Sequence, residues 1–264
     1  MPDIIFDIFL SVTQRAGSFK QPRGGLLPLK SFERALYDDG KQLHETETVA
    51  PGFVGVTVDY LTRIACGAEP EDAFAVALAG AEKLERASGK SAVKMCRTIV
   101  EGMDDPLDEL NVAAACRIVG CFDAFYRCGR FTQPANVKVD RPTIENIRTM
   151  VSRAKAFIDA HGPVLLSGFT LEGGYTETVN SGDGDFLLAG GLFDLKTTKR
   201  NPAAKDTLQL LMYYLMGQRS IHPEFQRVDT IGFFNPRQNV AFTKKVTDIP
   251  QETIEIVSTQ VIGY

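Results

Sequence analysis

The order of predicted elements along this 264-residue chain indicates an α/β fold. Two apolar runs separated by Gly190-Gly191 predict a β-hairpin within residues 182–199, because a two-residue turn needs the positive φ that glycine adopts freely. Apolar side chains at helical spacing predict a buried helix that ends near residue 217. Two more apolar runs, 228–234 and 240–246, predict a second hairpin. This order, with helices before the first hairpin, predicts a sheet flanked by helices.

The elements before the first hairpin are mostly helical. Apolar periodicity together with Ser, Pro and acidic residues at the starts predicts helices over 29–37, 53–66, 70–87, 91–103, 105–128 and 143–160. Residues 164–171 are apolar enough for a central strand, and residues 4–12 fit a strand or a short helix. We therefore divide the chain into an N-terminal arm with a short helix (1–50) and a main domain (51–264). The main domain carries a helical insertion at about 70–140.

Composition narrows the class of protein. The chain is 44% hydrophobic and 23% charged, which is ordinary for a globular protein. It has no run of about 18 apolar residues, so no membrane span is expected. An odd number of cysteines and an N-terminus without a basic region predict reduced thiols and a cytoplasmic location. A net charge of −4 gives no overall attraction to nucleic acid, so DNA binding would need a local basic patch.

The first hairpin gathers charged residues on one face. Pairing across Gly190-Gly191 places Asp185 opposite Lys196, and strand alternation puts Asp183, Asp185, Asp194 and Lys196 on the same side. Clustered carboxylates raise each other's pKa unless a cation lies between them, and oxygen ligands suit Mg²⁺ or Mn²⁺. The set predicts metal-assisted hydrolysis of a phosphodiester. Asp183 is a rival to Asp185, which we prefer because it lies opposite the lysine.

The helix after the hairpin adds polar side chains to this region. Asn201 is a good N-cap residue, and we expect the helix to begin there. Lys205, Gln209 and Tyr213 are each four residues apart and so share one face of the helix. Lys199 and Lys205 lie near the N-terminus of the helix, which itself favours phosphate. These lysines are candidate substrate-binding residues.

Two motifs in this order resemble a known family. Asp185 followed by Asp194-x-Lys196 is similar to the split acid and D/E-x-K pattern of the PD-(D/E)XK nuclease superfamily. Gln209-x-x-x-Tyr213 looks like the QxxxY motif of its RecB-like exonuclease branch. The resemblance implies a restriction-endonuclease-like core, which is a mixed central sheet flanked by helices. It also implies that Asp185 and Asp194 hold Mg²⁺ or Mn²⁺, that Lys196 is catalytic, and that Gln209 and Tyr213 contact the substrate.

An earlier helix extends the resemblance. The pattern Gly55-x-x-Val58-Asp59-x-x-x-Arg63 resembles the first helix of RecB-like nucleases, which offers a histidine or an acid to the metal. Asp59 is then a third metal ligand, although a surface aspartate on an amphipathic helix remains the alternative. Some members of this family hold an iron–sulfur cluster with cysteines on both sides of the core. Because no cysteine follows Cys128, no such cluster is expected here.

Three functions are consistent with these patterns. The first is a divalent-metal-dependent nuclease that hydrolyses DNA, with endonuclease and exonuclease action both open. The alternative is a catalytically silent nuclease-like module that binds nucleic acid or protein. The third is a metal-dependent hydrolase of small phosphoesters. The helical insertion carries no motif, which leaves open whether it covers the site, binds a protein partner or forms a homo-oligomer.

Overall fold

A mixed β-sheet lies at the centre of the protein. The structure is a computed structural model, and it describes residues 10–89 and 91–264. Its strands are β1 Leu10–Ser11, β2 Glu33–Leu36, β3 Val164–Thr170, β4 Val179–Ser181, β5 Asp183–Leu188, β6 Gly191–Leu195, β7 Thr230–Asn235 and β8 Val240–Lys245. Within the described residues, six of them form one sheet in the order β2-β8-β7-β6-β5-β3. The β6–β7 pair is parallel and the other pairs are antiparallel, so the predicted mixed sheet is confirmed.

Helices cover both faces of this sheet. They are α1 Val12–Ser18, α2 Pro51–Ala65, α3 Pro70–Ala73, α4 Ala75–Ser88, α5 Ala92–Glu101, α6 Glu109–Ile118, α7 Ala124–Cys128, α8 Arg141–Ala160, α9 Ala204–Gly217 and α10 Gln251–Ile256. Helices α1, α9 and the C-terminal segment share one apolar core with the sheet, and α8 packs on the opposite face. Among the described residues, none of these helices has both the length and the apolarity that crossing a membrane requires.

Helix α9 explains the parallel strand pair. Parallel strands cannot be joined by a tight turn and need a crossover, and α9 supplies the crossover between β6 and β7. The crossover helix buries one face against the sheet. Leu192 of β6 therefore packs in the core that contains α9, whereas Phe193 and Leu195 pack on the opposite face, with α8.

The turn of the first hairpin lies one residue earlier than the sequence predicted. Ala189 and Gly190 form the turn, and Gly191 is already the first residue of β6. The expected Gly190-Gly191 turn is therefore wrong. Gly191 serves the neighbouring strand instead: a Cβ atom there would lie 2.4 Å from the carbonyl oxygen of Thr230, and its φ is +140°. Gly191 lets β7 approach closely. The Gly190-Gly191 pair therefore resembles a two-residue turn in the sequence, although its second glycine serves the contact with β7.

The corrected turn changes the partner of Asp185 and leaves the two faces of the hairpin intact. The observed register pairs Phe186 with Phe193. Extending this register by one residue places Asp185 opposite Asp194, whereas the sequence predicted that Asp185 would lie opposite Lys196. The strand partner moves by two positions, and side chains alternate with a period of two, so each residue keeps its face. Asp185, Asp194 and Lys196 therefore remain on one side of the hairpin.

Two segments differ from their predicted elements. Residues 29–37 were expected to be helical, but a single 3₁₀ turn at Leu29–Ser31 is followed by strand β2, which pairs along β8. The open edge of β8 offers backbone hydrogen bonds that outweigh the local helical pattern. The predicted arm 1–50 thus contributes a strand to the main sheet. Strand β3 lies at the other edge of the sheet and not at its centre. Residues 4–9 of the predicted first element lie outside the described residues.

The predicted helical insertion has its own apolar core. Helices α3 to α7 pack with α2 and with the N-terminal half of α8 in a cluster separate from those of the sheet. The single helices expected over 70–87 and 105–128 are interrupted, the first at Phe74 and the second by a π-helical segment, Val119–Asp123. All five cysteines are free thiols, but burial was expected for each of them and holds only for Cys96, Cys116 and Cys121, since Cys66 is half-buried and Cys128 is exposed. Helix α8 joins the insertion to the sheet, because its first half packs in this cluster and its second half packs on the sheet.

Candidate active site

A cavity of about 590 Å³ opens on the charged face of the first hairpin. It brings together seven residues that the sequence singled out, from α2, the two hairpin strands, the residue that follows them, and α9. They are Asp59, Asp183, Asp185, Asp194, Lys196, Gln209 and Tyr213. Lys199 and Lys205 are not among the described residues that line it. Motif residues from distant parts of the sequence therefore line the same cavity.

The two carboxylates at the centre of the cavity are held by the strands. The Asp185 Oδ2 atom accepts a hydrogen bond of 2.7 Å from the backbone N–H of Leu195. Asp194 is only 5% exposed, and the Nζ atom of Lys196 lies 2.8 Å from its Oδ2 atom. This backbone anchor and the ion pair fix both side chains before any ligand binds.

Burial makes ionisation of these carboxylates costly. It raises the pKa of Asp185 well above its ordinary value, and repulsion from Asp194 raises that pKa further. Burial also raises the pKa of Asp194, although the adjacent Lys196 ammonium partly offsets the effect. Burial alone would lower the pKa of Lys196, but the charges of Asp194 and Asp185 outweigh it and raise the pKa. Lys196 therefore stays protonated, and the carboxylate pair favours the approach of a further cation.

One oxygen of this pair is suited to a hard metal ion. The Oδ2 atom of Asp194 is buried and lies 2.8 Å from the Lys196 ammonium, so one of its lone pairs faces a cation already. A carboxylate oxygen has a second lone pair, which could bind a metal ion. No group of three or more His, Cys, Asp or Glu side chains arranged for a metal occurs in the described parts of the chain. Mg²⁺, however, usually keeps several waters and needs only one or two carboxylates, which the pair supplies.

Helix α9 forms another wall of the cavity. The Gln209 Nε2 atom donates to the Tyr213 hydroxyl oxygen at 2.7 Å and to the Thr13 hydroxyl oxygen at 3.1 Å. These contacts hold the Gln209 amide at the cavity, while Tyr213 is almost completely buried. The helix begins at Ala204 and not at Asn201 as expected, because Asp206 accepts a hydrogen bond from the backbone N–H of Ala203 and so caps the first turn.

Lys199 and Lys205 lie away from the carboxylates. Lys199 lines a neighbouring cavity of about 920 Å³, and its Nζ atom donates to the backbone carbonyl of Glu45 at 3.2 Å. This second cavity also contains Arg200 and Arg237, and it shares Lys196 with the first. Lys205 is exposed on the first turn of α9. The lysines are thus placed beside the site and not within it.

The structure shows a cation in the first cavity to which the sequence analysis gave no role. Arg63 donates to both carboxylate oxygens of Asp59, at 3.2 Å from Nε and 2.7 Å from Nη2. Burial raises the pKa of Asp59, and the Arg63 charge works against that rise. The i, i+4 spacing of the two residues was the available signal. Asp59 lines the cavity as predicted, but both of its oxygens are bonded to an arginine.

The helical insertion closes the same cavity from the opposite side. Asp123 is fully buried, accepts a 2.5 Å hydrogen bond from the Tyr60 hydroxyl, and forms an ion pair of 2.8 Å with Arg127. Arg127 lines the cavity together with Asp72. The insertion therefore contributes charged groups to the site as well as its own core.

Gly168 makes room for Arg63, and this can be tested by mutation. Gly168 has a φ of +58°, and a Cβ atom there would lie 2.0 Å from Nη1 of Arg63. Gly168→Ala should lower the free energy of unfolding by about 2–5 kcal/mol, since it adds left-handed strain of about 1–2 kcal/mol and overpacking of about 1–3 kcal/mol. Chemical denaturation measures the change. Gly17→Ala, on helix α1 with nothing within 4 Å, is the matched control and should not destabilise the protein. Equal stability of both variants would contradict the described position of Arg63.

No family model, no curated protein and no solved structure matches this chain. The chemistry proposed below therefore follows from the geometry of its own residues.

Proposed function

We propose that the protein is a divalent-metal-dependent nuclease that hydrolyses DNA phosphodiester bonds. The observation that carries this proposal is the meeting of Asp185, Asp194 and Lys196 in one cavity, where the Lys196 ammonium lies 2.8 Å from the buried Oδ2 atom of Asp194. Two oxygen ligands beside a protonated lysine suit a hard ion and a phosphodiester together. The mixed sheet with its central hairpin also fits the restriction-endonuclease-like core of the PD-(D/E)XK superfamily, which the motifs resemble.

Each residue has a distinct role under this proposal. Asp185 and Asp194 would hold Mg²⁺ or Mn²⁺, which would supply Lewis acidity at the phosphate and lower the pKa of water. Lys196, held protonated by its carboxylate neighbours, orients the attacking water and stabilises the negative charge that develops in the transition state. A cation that remains protonated cannot serve as the general base.

The substrate strand would follow the two joined cavities. Gln209, with its amide held at the carboxylate cavity, and the neighbouring Tyr213 would position the strand at the reacting bond. Beyond Lys196, the second cavity offers Lys199 to the backbone of the strand. Lys205 would add a phosphate contact at the N-terminus of α9, where helix geometry favours anions. A local basic track of this kind offsets the net charge of −4.

Lys196→Gln tests the proposal. Loss of the ammonium should reduce the rate of Mg²⁺-dependent DNA cleavage by about 10²–10³-fold, the usual effect of removing one transition-state donor. Single-turnover cleavage of labelled linear DNA measures the change. Lys155→Gln is the matched control, because Lys155 also pairs with an aspartate, Asp159 at 2.6 Å, but lies on α8 outside the cavity. An unchanged rate in Lys196→Gln would remove the lysine from the mechanism.

A further inference from the structure

The cationic side chain of Arg63 lines the cavity in addition to that of Lys196, and it is largely buried. The Arg63 side chain is 13% exposed and bonds both oxygens of Asp59 from the same helix. Its charge also interacts with that of Asp185 on the facing strand. The charge of Arg63 therefore interacts both with Asp59 on α2 and with Asp185 on β5.

The backbone of β3 is shaped to admit this guanidinium. Ser167 pairs with Phe186 and Phe169 pairs with Gly184, so the register sets Gly168 across from Asp185. Gly168 adopts the left-handed φ described above, and its missing side chain leaves the space that Arg63 fills. A glycine inside a strand commonly marks a close approach by another group. The guanidinium thus lies against Gly168, the strand position across from Asp185.

The charge of the cavity leaves room for one divalent ion. Among the described residues that line it, five are aspartates and three are Lys or Arg, which gives a formal charge of −2 when all are ionised. Lys196 is paired with Asp194 and Arg127 with Asp123. Arg63 is therefore the cation that serves Asp59. Asp72, Asp183 and Asp185 are the lining aspartates without an ion pair among the described residues, and a single M²⁺ at the hairpin would offset two of their three charges.

We propose that Arg63 is the second cation of the site, so that the cavity binds one divalent ion at Asp185 and Asp194 and none at Asp59. This inference rests on the proposed nuclease function. Asp59 then acts as a positioning residue for Arg63, in place of the metal-ligand role that the sequence predicted. The guanidinium is planar, always charged and suited to bidentate contact with phosphate oxygens, so it would face the substrate where a second ion would otherwise lie.

Counting bound Mn²⁺ by isothermal titration calorimetry tests the inference without any activity measurement. Wild-type protein should bind one ion in the cavity, and Asp185→Asn should lose it. Arg63→Gln frees Asp59 and should bind two ions, while the double variant Asp59→Asn/Arg63→Gln should return to one. Arg141→Gln is the matched control, because Arg141 forms the same i, i+4 pair with Glu145 on an exposed part of α8 and should leave the number at one.

The outcomes separate the inference from the function on which it rests. Two ions in wild-type protein, or one ion in folded Arg63→Gln, would overturn the role of Arg63 and leave the nuclease proposal standing. No ion in the wild-type protein would instead overturn the metal-dependent function itself. If Arg63→Gln does not fold, Arg63→Met keeps the apolar stem of the side chain and makes the same prediction of two ions.

Discussion

Asp194→Asn is expected to reduce Mg²⁺-dependent DNA cleavage by at least about 10³-fold, the upper end of the loss when one stabilising group is removed. The change removes the buried carboxylate charge that would hold the ion, and an amide is a weaker ligand for Mg²⁺. It also leaves the Lys196 ammonium, only 24% exposed, without its partner at 2.8 Å. Single-turnover rates on linear DNA measure the loss of cleavage, and Mn²⁺ titration of the same preparation measures the loss of metal binding.

The matched control for this substitution is Asp229→Asn. Asp229 also pairs with a lysine, Lys245 at 3.1 Å, but the pair is exposed and lies outside the cavity. Its removal should leave cleavage unchanged, because exposed ion pairs contribute little. Full activity in folded Asp194→Asn would exclude this carboxylate from the site. Thermal unfolding of both variants distinguishes lost chemistry from lost structure.

Asp185→Asn is expected to stabilise the protein at neutral pH in EDTA, by about 0.5–2 kcal/mol. Burial and Asp194 raise the pKa of Asp185 above its ordinary 3.8. Ionisation of Asp185 at neutral pH therefore costs more free energy in the folded state than in the unfolded state, and so destabilises the protein. The asparagine oxygen can still accept the hydrogen bond from Leu195. For a chain of this size the gain corresponds to a rise in Tm of roughly 1–4 °C.

The pH dependence of that gain has a definite sign. Below the ordinary carboxyl pKa, Asp185 is protonated in both states, and the variant and wild type should be about equally stable. As pH rises toward the raised folded-state pKa, the wild type loses stability relative to the variant, and above that value the difference is constant. Mg²⁺ should raise the Tm of wild type and not of Asp185→Asn. An unchanged or lower Tm for the variant at neutral pH would contradict the raised pKa of the half-buried Asp185.

Asp183→Asn is the control that separates the two rival aspartates. Asp183 lines the same cavity but is exposed, so its replacement should change the Tm less than that of Asp185. It should also keep the stabilisation by Mg²⁺. Loss of that stabilisation in Asp183→Asn, with retention in Asp185→Asn, would exchange their roles.

The charged face of the hairpin could be predicted from the sequence even though the turn could not. Strand alternation depends only on whether residues are an even or odd number apart, so a turn displaced by one residue leaves Asp185 and Asp194 on the same side. The helical spacing of Gln209 and Tyr213 is equally local, and the structure brings both to the cavity. Residues that local spacing predicts to share a face therefore do share it, even though the predicted strand register is wrong.

Features set by distant parts of the chain could not be predicted in this way. Residues 33–36 become a strand because β8 offers an open edge more than 200 residues later in the sequence. Arg63 becomes part of the site only because Gly168, on a strand more than 100 residues away, leaves space for it. Tertiary contacts decide such positions, and a single sequence does not display them.

The central claim is that Asp185, Asp194 and Lys196 form a metal-dependent DNA-cleaving site, and direct cleavage tests it best. Labelled linear single-stranded, linear duplex and circular DNA would be incubated with wild-type protein in Mg²⁺, in Mn²⁺ and in EDTA, with Asp194→Asn alongside. We expect cleavage in either metal, none in EDTA and none by the variant; sparing of circular DNA would further indicate an exonuclease. Folded wild-type protein that cleaves no DNA in either metal, or that still cleaves in EDTA, would contradict the claim.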